Sequence, residues 1–279
     1  MNLSAIWIIT VTTLREAKRR RIMFAALVFG GLVLALFATG YFFIALETKK
    51  HNASMIERRM ILTIFLTIGI YAANALTVMT AAFLPIDTLS GEIASGVLQP
   101  VVARPVRRSE IVIGKWFGHW IVIAGYYALL MTGMLVIGRT IGGITPLHLE
   151  RAMPLMLLEA SVFLTLSIAG GTRFSTIANG VMVFGLYGFA FLGSWIEQIS
   201  TYAGANAARD IGTAASLLIP TEALWQLAAY HMNPPILRDL PVSPFSPTSV
   251  PSAAFVVWAV VYMTIVFAFA LRTFSRREL

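Results

Sequence analysis

The stretch KRRRIMFAALVFGGLVLALFATGYFFIAL, Lys18–Leu46, sets four consecutive basic residues before a run from Ile22 to Leu46 that contains no charge. An α-helix needs roughly 20 apolar residues to cross the hydrocarbon core of a bilayer, and this run supplies them. Comparable runs recur along the chain and place spans at about 22–46, 60–85, 111–138, 153–170, 177–196 and 251–271. The composition agrees. Of the 279 residues, 58% are hydrophobic and 12% charged, whereas soluble domains carry about 25% charged residues. The expected fold is an all-α membrane protein, one transmembrane domain over residues 1–279 with six transmembrane helices.

Six crossings put both termini on one side, and the basic residues choose which. With the N-terminus cytoplasmic, the outer segments hold Lys49, Lys50, Arg58, Arg59, Arg139, Arg151, Arg209 and Arg238, leaving thirteen of the 21 lysines and arginines inside. Lys18 to Arg21 abut the first span, where positive charge has most influence on orientation. The net charge of +8 is thus assigned to membrane topology rather than to nucleic acid. Residues 197–250 become the long external loop. Within it, Pro220-Thr221-Glu222 signals a helix start ahead of ALWQLAAYHM, and Asn233 to Pro251, with six prolines, is an extended connector that either packs on the external helices or receives a partner.

The first 21 residues do not match a secretory signal, because Lys18 to Arg21 follow the apolar stretch instead of preceding it. Leu3, Ile6, Trp7, Val11 and Leu14 fall at helical spacing, interrupted by Thr10. They suit a short interfacial helix, the alternative being an extension of the first span.

Motifs for chemistry are missing. The four lysines are followed by Arg, Lys, His and Trp, so no P-loop ends in Lys-Ser or Lys-Thr. The four histidines are scattered, there is no HExxH or GxSxG, and no cysteine is available for a thiolate metal site. No catalytic or metal-binding residue and no cofactor is expected on this chain. Polar residues inside the spans are few: Asn74, His119, Glu159 and Asn179. Asn74 and Glu159 are the candidate substrate-path residues. On the expected boundaries Glu159 lies about 9 Å from the outer end of its helix, within reach of water or of a hydrogen bond between helices.

Between the second and third spans runs GEIASGVLQPVVARPVRRSEIVIGKWFG, Gly91–Gly118. Leu89 to Leu98 form a short helix on this reading, Pro100 and Pro105 bracket an extended piece, and Ser109-Glu110 cap the next span. Its arginines alone would make an anchor for anionic lipid. The order of Glu92, Ser95-Gly96, Leu98, Ala103-Arg104-Pro105-Val106-Arg107-Arg108 and Ile111 through Gly114-Lys115 goes further. It resembles the segment between the second and third spans of bacterial ABC transporter permeases of the type-2 exporter class. Leu14-Arg15-Glu16-Ala17 and Ile219-Pro220-Thr221-Glu222-Ala223-Leu224 are similar to features of the same permeases.

The resemblance implies a permease subunit of an ATP-driven exporter in the bacterial inner membrane, paired with a second copy or paralogue and with two separate ATPase subunits that bind ATP and Mg. Residues 1–21 would be the elbow helix and residues 86–110 the coupling segment that docks on the ATPase. In that segment Glu92, Arg104, Arg107 and Arg108 supply polar contacts, and Val97 and Leu98 an apolar anchor. Two other readings stay open at this point: a gradient-driven secondary transporter, and a scaffold that transmits force to an external partner through residues 197–250.

Overall fold

In a computed structural model the chain is described for residues 3–51, 54–95, 107–203, 214, 216–234 and 251–277. Helices α1 (Leu3–Arg19), α2 (Arg21–Lys50), α3 (Met55–Phe83), α4 (Ser90–Ala94), α5 (Arg108–Ile137), α6 (Leu149–Gly171), α7 (Thr176–Ala203), α8 (Thr221–Met232) and α9 (Ala254–Arg276) follow in order, with no strand among the described residues. Six of them, α2, α3, α5, α6, α7 and α9, are long and apolar enough to span a membrane. They overrun the expected spans by a few residues at most ends because a helix keeps its backbone hydrogen bonds into the polar interface. α5, for example, continues through a π-turn at Gly138–Gly142 until Gly143 takes a left-handed conformation.

α6 is the central helix. It packs against α3, α5, α7, α8 and α9, and apolar or small side chains on all its faces fit that position, with Ala160, Val162, Phe163, Leu164, Ile168 and Gly170 all buried. α2 and α9 lie at the periphery and expose Phe24, Leu32, Leu36 and Phe43, and Val257, Val261, Ile265 and Phe269. In an apolar solvent such faces carry no penalty, unlike the same surface in water.

α1 is a separate helix and not an extension of α2, because Arg20 breaks the path with extended backbone, φ −75° and ψ 133°. Its packing face is Ile6, Thr10, Thr13 and Ala17. The apolar stripe expected from the sequence is therefore split: Ile6 packs inward, while Leu3 and Trp7 remain 75% and 64% exposed. Thr10, which seemed to interrupt that stripe, is a packing residue that donates to the Ile6 and Gly114 carbonyls at 2.9 and 3.2 Å. The pair Gly114-x-x-x-Gly118 lets α1 approach α5, since a Cβ at Gly114 would lie 2.7 Å from Ile9 and one at Gly118 2.6 Å from Thr13.

The largest departure from expectation is α8. It belongs to the segment after the fifth span, yet Ala223, Leu224, Trp225, Leu227, Ala228, Ala229 and Met232 are buried, and the helix packs chiefly against α6, with further contacts to α7 and α9. Thr67 donates to Asn233 at 3.0 Å, the Leu147 amide donates to the Met232 carbonyl at 3.2 Å, and Tyr71 meets Trp225 edge to face at 4.8 Å. The helix is thus a packed part of the bundle, at the end where α6 begins. The remainder of the proline-rich connector, residues 235–250, lies outside the described residues.

Gly118→Leu is expected to lift α1 from α5 and to destabilise the chain by about 1–3 kcal/mol. Thermal unfolding in detergent and faster tryptic cleavage after Lys18 or Arg19 measure this. Gly125→Ala, where nothing lies within 4 Å of the new Cβ, should leave both unchanged.

Candidate functional site

The described part of the segment after α3, as far as Ser95, is hydrogen-bonded at each turn. Pro85 cannot continue α3 past Leu84 because it lacks an amide hydrogen, and the chain winds instead through hydrogen bonds from Ile86 to Phe83, Thr88 to Pro85, Gly91 to Asp87, Ile93 to Leu89 and Ser95 to Gly91. α4 is the last part of this winding. The short helix expected over Leu89 to Leu98 is described as far as Ala94. Gly96, Val97, Leu98, Pro100, Arg104 and Pro105 lie outside the described residues.

Side chains then tie the segment to four other elements. Arg20, at the break between α1 and α2, forms an ion pair with Asp87. Lys115, two turns into α5, forms another with Glu92, the two side chains being 8% and 20% exposed. His119 Nδ1 lies 2.8 Å from the Lys115 carbonyl and its Nε2 3.2 Å from Thr88 Oγ1. A carbonyl only accepts, so Nδ1 carries the proton there and, in the neutral ring, the Thr88 hydroxyl donates to Nε2. Ser90 and Thr176 hydroxyls meet at 2.9 Å, reaching α7. Asn179 donates to the Ile86 and Ser167 carbonyls at 3.1 and 2.9 Å, and Ser167 donates to Ala82 at 2.6 Å. Beneath these contacts Leu89, 1% exposed, joins the apolar cluster of Ile111, Val112 and Ile168.

This geometry revises several residue assignments. Glu92 faces Lys115, and burial raises its carboxyl above the ordinary carboxylate value while the Lys115 ammonium pulls the other way. Arg108 donates to the Arg277 carbonyl, and Arg277 donates in turn to Thr172 at 2.6 Å. Arg107 is exposed. The cap of α5 is Arg107 rather than Ser109, with the Glu110 carboxylate accepting from the Arg107 amide at 3.1 Å. The pairings of Arg20 with Asp87 and of Thr88 with His119 escaped the sequence reading, because each is a long-range contact that local spacing does not reveal. The one available signal was a polar residue beside a proline-ended span.

A second polar locus lies deeper. Asn74 of α3 donates to the Glu159 carboxyl of α6 at 2.8 Å, and its own carbonyl oxygen is buried without a hydrogen-bond partner. Glu222 in the first turn of α8 and the hydroxyls of Tyr71, Tyr127 and Tyr187 interact electrostatically with Glu159. The expectation that water reaches Glu159 is corrected. α6 begins at Leu149, so Glu159 sits about 15 Å along it and is 4% exposed; the other expectation, a hydrogen bond between helices, is the one found. Among the described residues no group of three or more His, Asp or Glu side chains is arranged to hold a metal ion.

The family model for the ABC-2 family transporter protein matches residues 7–279. The chain belongs to the ABC-2 transporter family. No curated protein gives a significant match. As an ABC-2 permease it is the multi-pass membrane component of an ABC transporter and not the ATPase, and it functions in association with an ABC ATPase subunit.

In this permease, removing one partner of the Glu92–Lys115 pair strands the other in a largely dry site. Lys115→Met alone is expected to cost on the order of 2 kcal/mol, and Glu92→Gln combined with Lys115→Met to recover most of it. A double-mutant cycle on detergent-solubilised protein checks the coupling; additive losses would show that the two side chains do not act as a pair.

Proposed function

We propose that this permease is the membrane subunit of an ATP-driven exporter, and that residues 86–110 form the lever by which a separate ATPase moves the bundle. One observation carries the proposal: the segment after α3 is bonded simultaneously to the α1–α2 junction, α5 and α7. A surface pushed at that segment displaces several spans together, whereas a free loop would absorb the motion.

On this reading two ATPase subunits, which bind ATP and Mg, face the α4 end of a dimer of permeases formed with a second copy or a paralogue. Both termini are cytoplasmic in the inner membrane, an orientation supported by Lys18 to Arg21 beside α2. Arg107, exposed at the start of α5, and Arg104 make the direct polar contacts with the ATPase, and Val97 and Leu98 the apolar ones. Glu92 and Arg108 act at one remove, holding the lever in shape. Family membership counts against the gradient-driven alternative.

Asn74 and Glu159 are assigned to the substrate path. On this reading α8, packed against α6, moves before a solute exchanges with the outside, so residues 214–234 transmit the motion of α3 and α6 outward. The same linkage favours force transmission to an external partner at residues 197–250 as the second reading.

Arg104→Glu and Arg107→Glu are expected to lower recovery of the ATPase with detergent-purified permease by about threefold to tenfold without affecting membrane insertion. Glu92→Lys should do the same and also lower thermal stability, because it sets a second ammonium against Lys115. Unchanged recovery and unchanged ATP turnover in all three would overturn the docking assignment.

A further inference from the structure

At the α4 end of the bundle, away from the clamp, the turn between α6 and α7 and the last two turns of α9 enclose a groove of about 470 Å³ lined by Thr172, Arg173, Phe269, Arg272, Arg276 and Arg277. Four arginines converge here. Arg277 is engaged, since its guanidinium donates to the Thr172 carbonyl while its own carbonyl accepts from Arg108, which fixes this wall to the start of α5. Arg173, Arg272 and Arg276 have no ion pair or side-chain hydrogen bond to any described residue. Glu278, the acidic neighbour in sequence, lies outside the described residues.

The spacing on α9 tells what kind of molecule fits. Ile265, Phe269, Arg272 and Arg276 share one helical face, and the exposed residues Ile265 and Phe269 belong to the apolar surface that faces lipid. About 10 Å separates Phe269 from Arg276 along the helix. A ligand along this face meets hydrocarbon first and then two or three guanidinium groups, which is the sequence of an acyl chain followed by a phosphate. Guanidinium forks suit phosphate oxygens because they donate paired hydrogen bonds in a plane. An acidic surface of a soluble protein would satisfy the arginines but would not descend to Phe269, inside the span.

We infer that this groove is a binding site for the phosphate of an anionic membrane lipid, held by Arg173, Arg272 and Arg276 with its acyl chain on Phe269 and Ile265. A bound lipid would neutralise the convergent guanidiniums and join the end of α9 to the α6–α7 turn. The inference does not depend on the exporter reading, because it requires only that α9 spans the membrane.

The test is retention of phosphatidylglycerol by the full-length permease after detergent extraction, read by native mass spectrometry, with phosphatidylcholine as the neutral comparison. The wild-type chain should retain phosphatidylglycerol in preference. Arg272→Gln combined with Arg276→Gln should lower that retention by roughly 10- to 30-fold, and Arg272→Lys combined with Arg276→Lys should keep most of it. Arg58→Gln with Arg59→Gln, at the opposite end of the bundle, serves as the control and should change nothing. Equal retention of both lipids by the wild type needs no variant and would overturn the site. So would unchanged retention in the glutamine variant, or displacement of the lipid by millimolar inorganic phosphate. Loss of ATPase recovery with lipid retention intact would overturn it in favour of a protein-docking surface.

Discussion

Lys115 stands two turns inside a membrane-facing helix, and its charge must be answered from somewhere. The answer comes from Glu92, on the segment that follows the preceding span. That pairing fixes more than one contact. To bring Glu92 to Lys115 the chain must turn sharply after Phe83, which places Asp87 beside Arg20, Thr88 beside His119 and Ser90 beside Thr176. Burial pushes the Glu92 carboxyl up against the pull of the Lys115 ammonium, and in a buried pair of this kind desolvation offsets much of the attraction, so the contact sets geometry more than it adds net stability. The first part of the connection, as far as Ser95, is thereby tied to the α1–α2 junction, α5 and α7.

The same constraint orders the opposite side of the bundle in a different way. Glu159 has no ion pair among the described residues and accepts a hydrogen bond from Asn74. Here the buried carboxyl is met by a hydrogen bond instead of being balanced with a charge. The two ends thus differ in kind. One is tied by ion pairs, which on the proposed mechanism transmit displacement, and the other is packed by a largely apolar helix against α6.

Much of the architecture was legible in the residues because lipid imposes a simple rule: every backbone group in the core is paired inside a helix, and side chains around it are apolar. Ile22 to Leu46 and Ala254 to Leu271 carry no charged residue and marked spans in nearly the right place. The order Glu92, Arg104, Arg107 and Lys115 was also visible, although its partners were not. Asp87 reads locally as a turn residue, Arg20 as one of four topology charges and Lys115 as part of a motif, and only the fold brings them together. The helix of α8 was expected from Pro220-Thr221-Glu222, but its burial was not: the run Ala223 to Ala229 is apolar except for Gln226, and its length and position after the fifth span suggested an external loop. Thr10 was likewise taken for a break in a stripe when close helix packing against Gly114 and Gly118 favours a small hydroxyl.

The lever is rigid only if its backbone hydrogen bonds and side-chain ties hold together in the assembled complex. Amide hydrogen exchange across residues 86–95, measured in the permease purified with its ATPase, reports this directly. A clamped segment exchanges slowly, within about tenfold of the first turns of α5, and loses that protection when Lys115 is replaced by Met. Exchange of the wild-type segment at the rate of an open loop would contradict the clamp and, with it, the proposed path of motion into the spans.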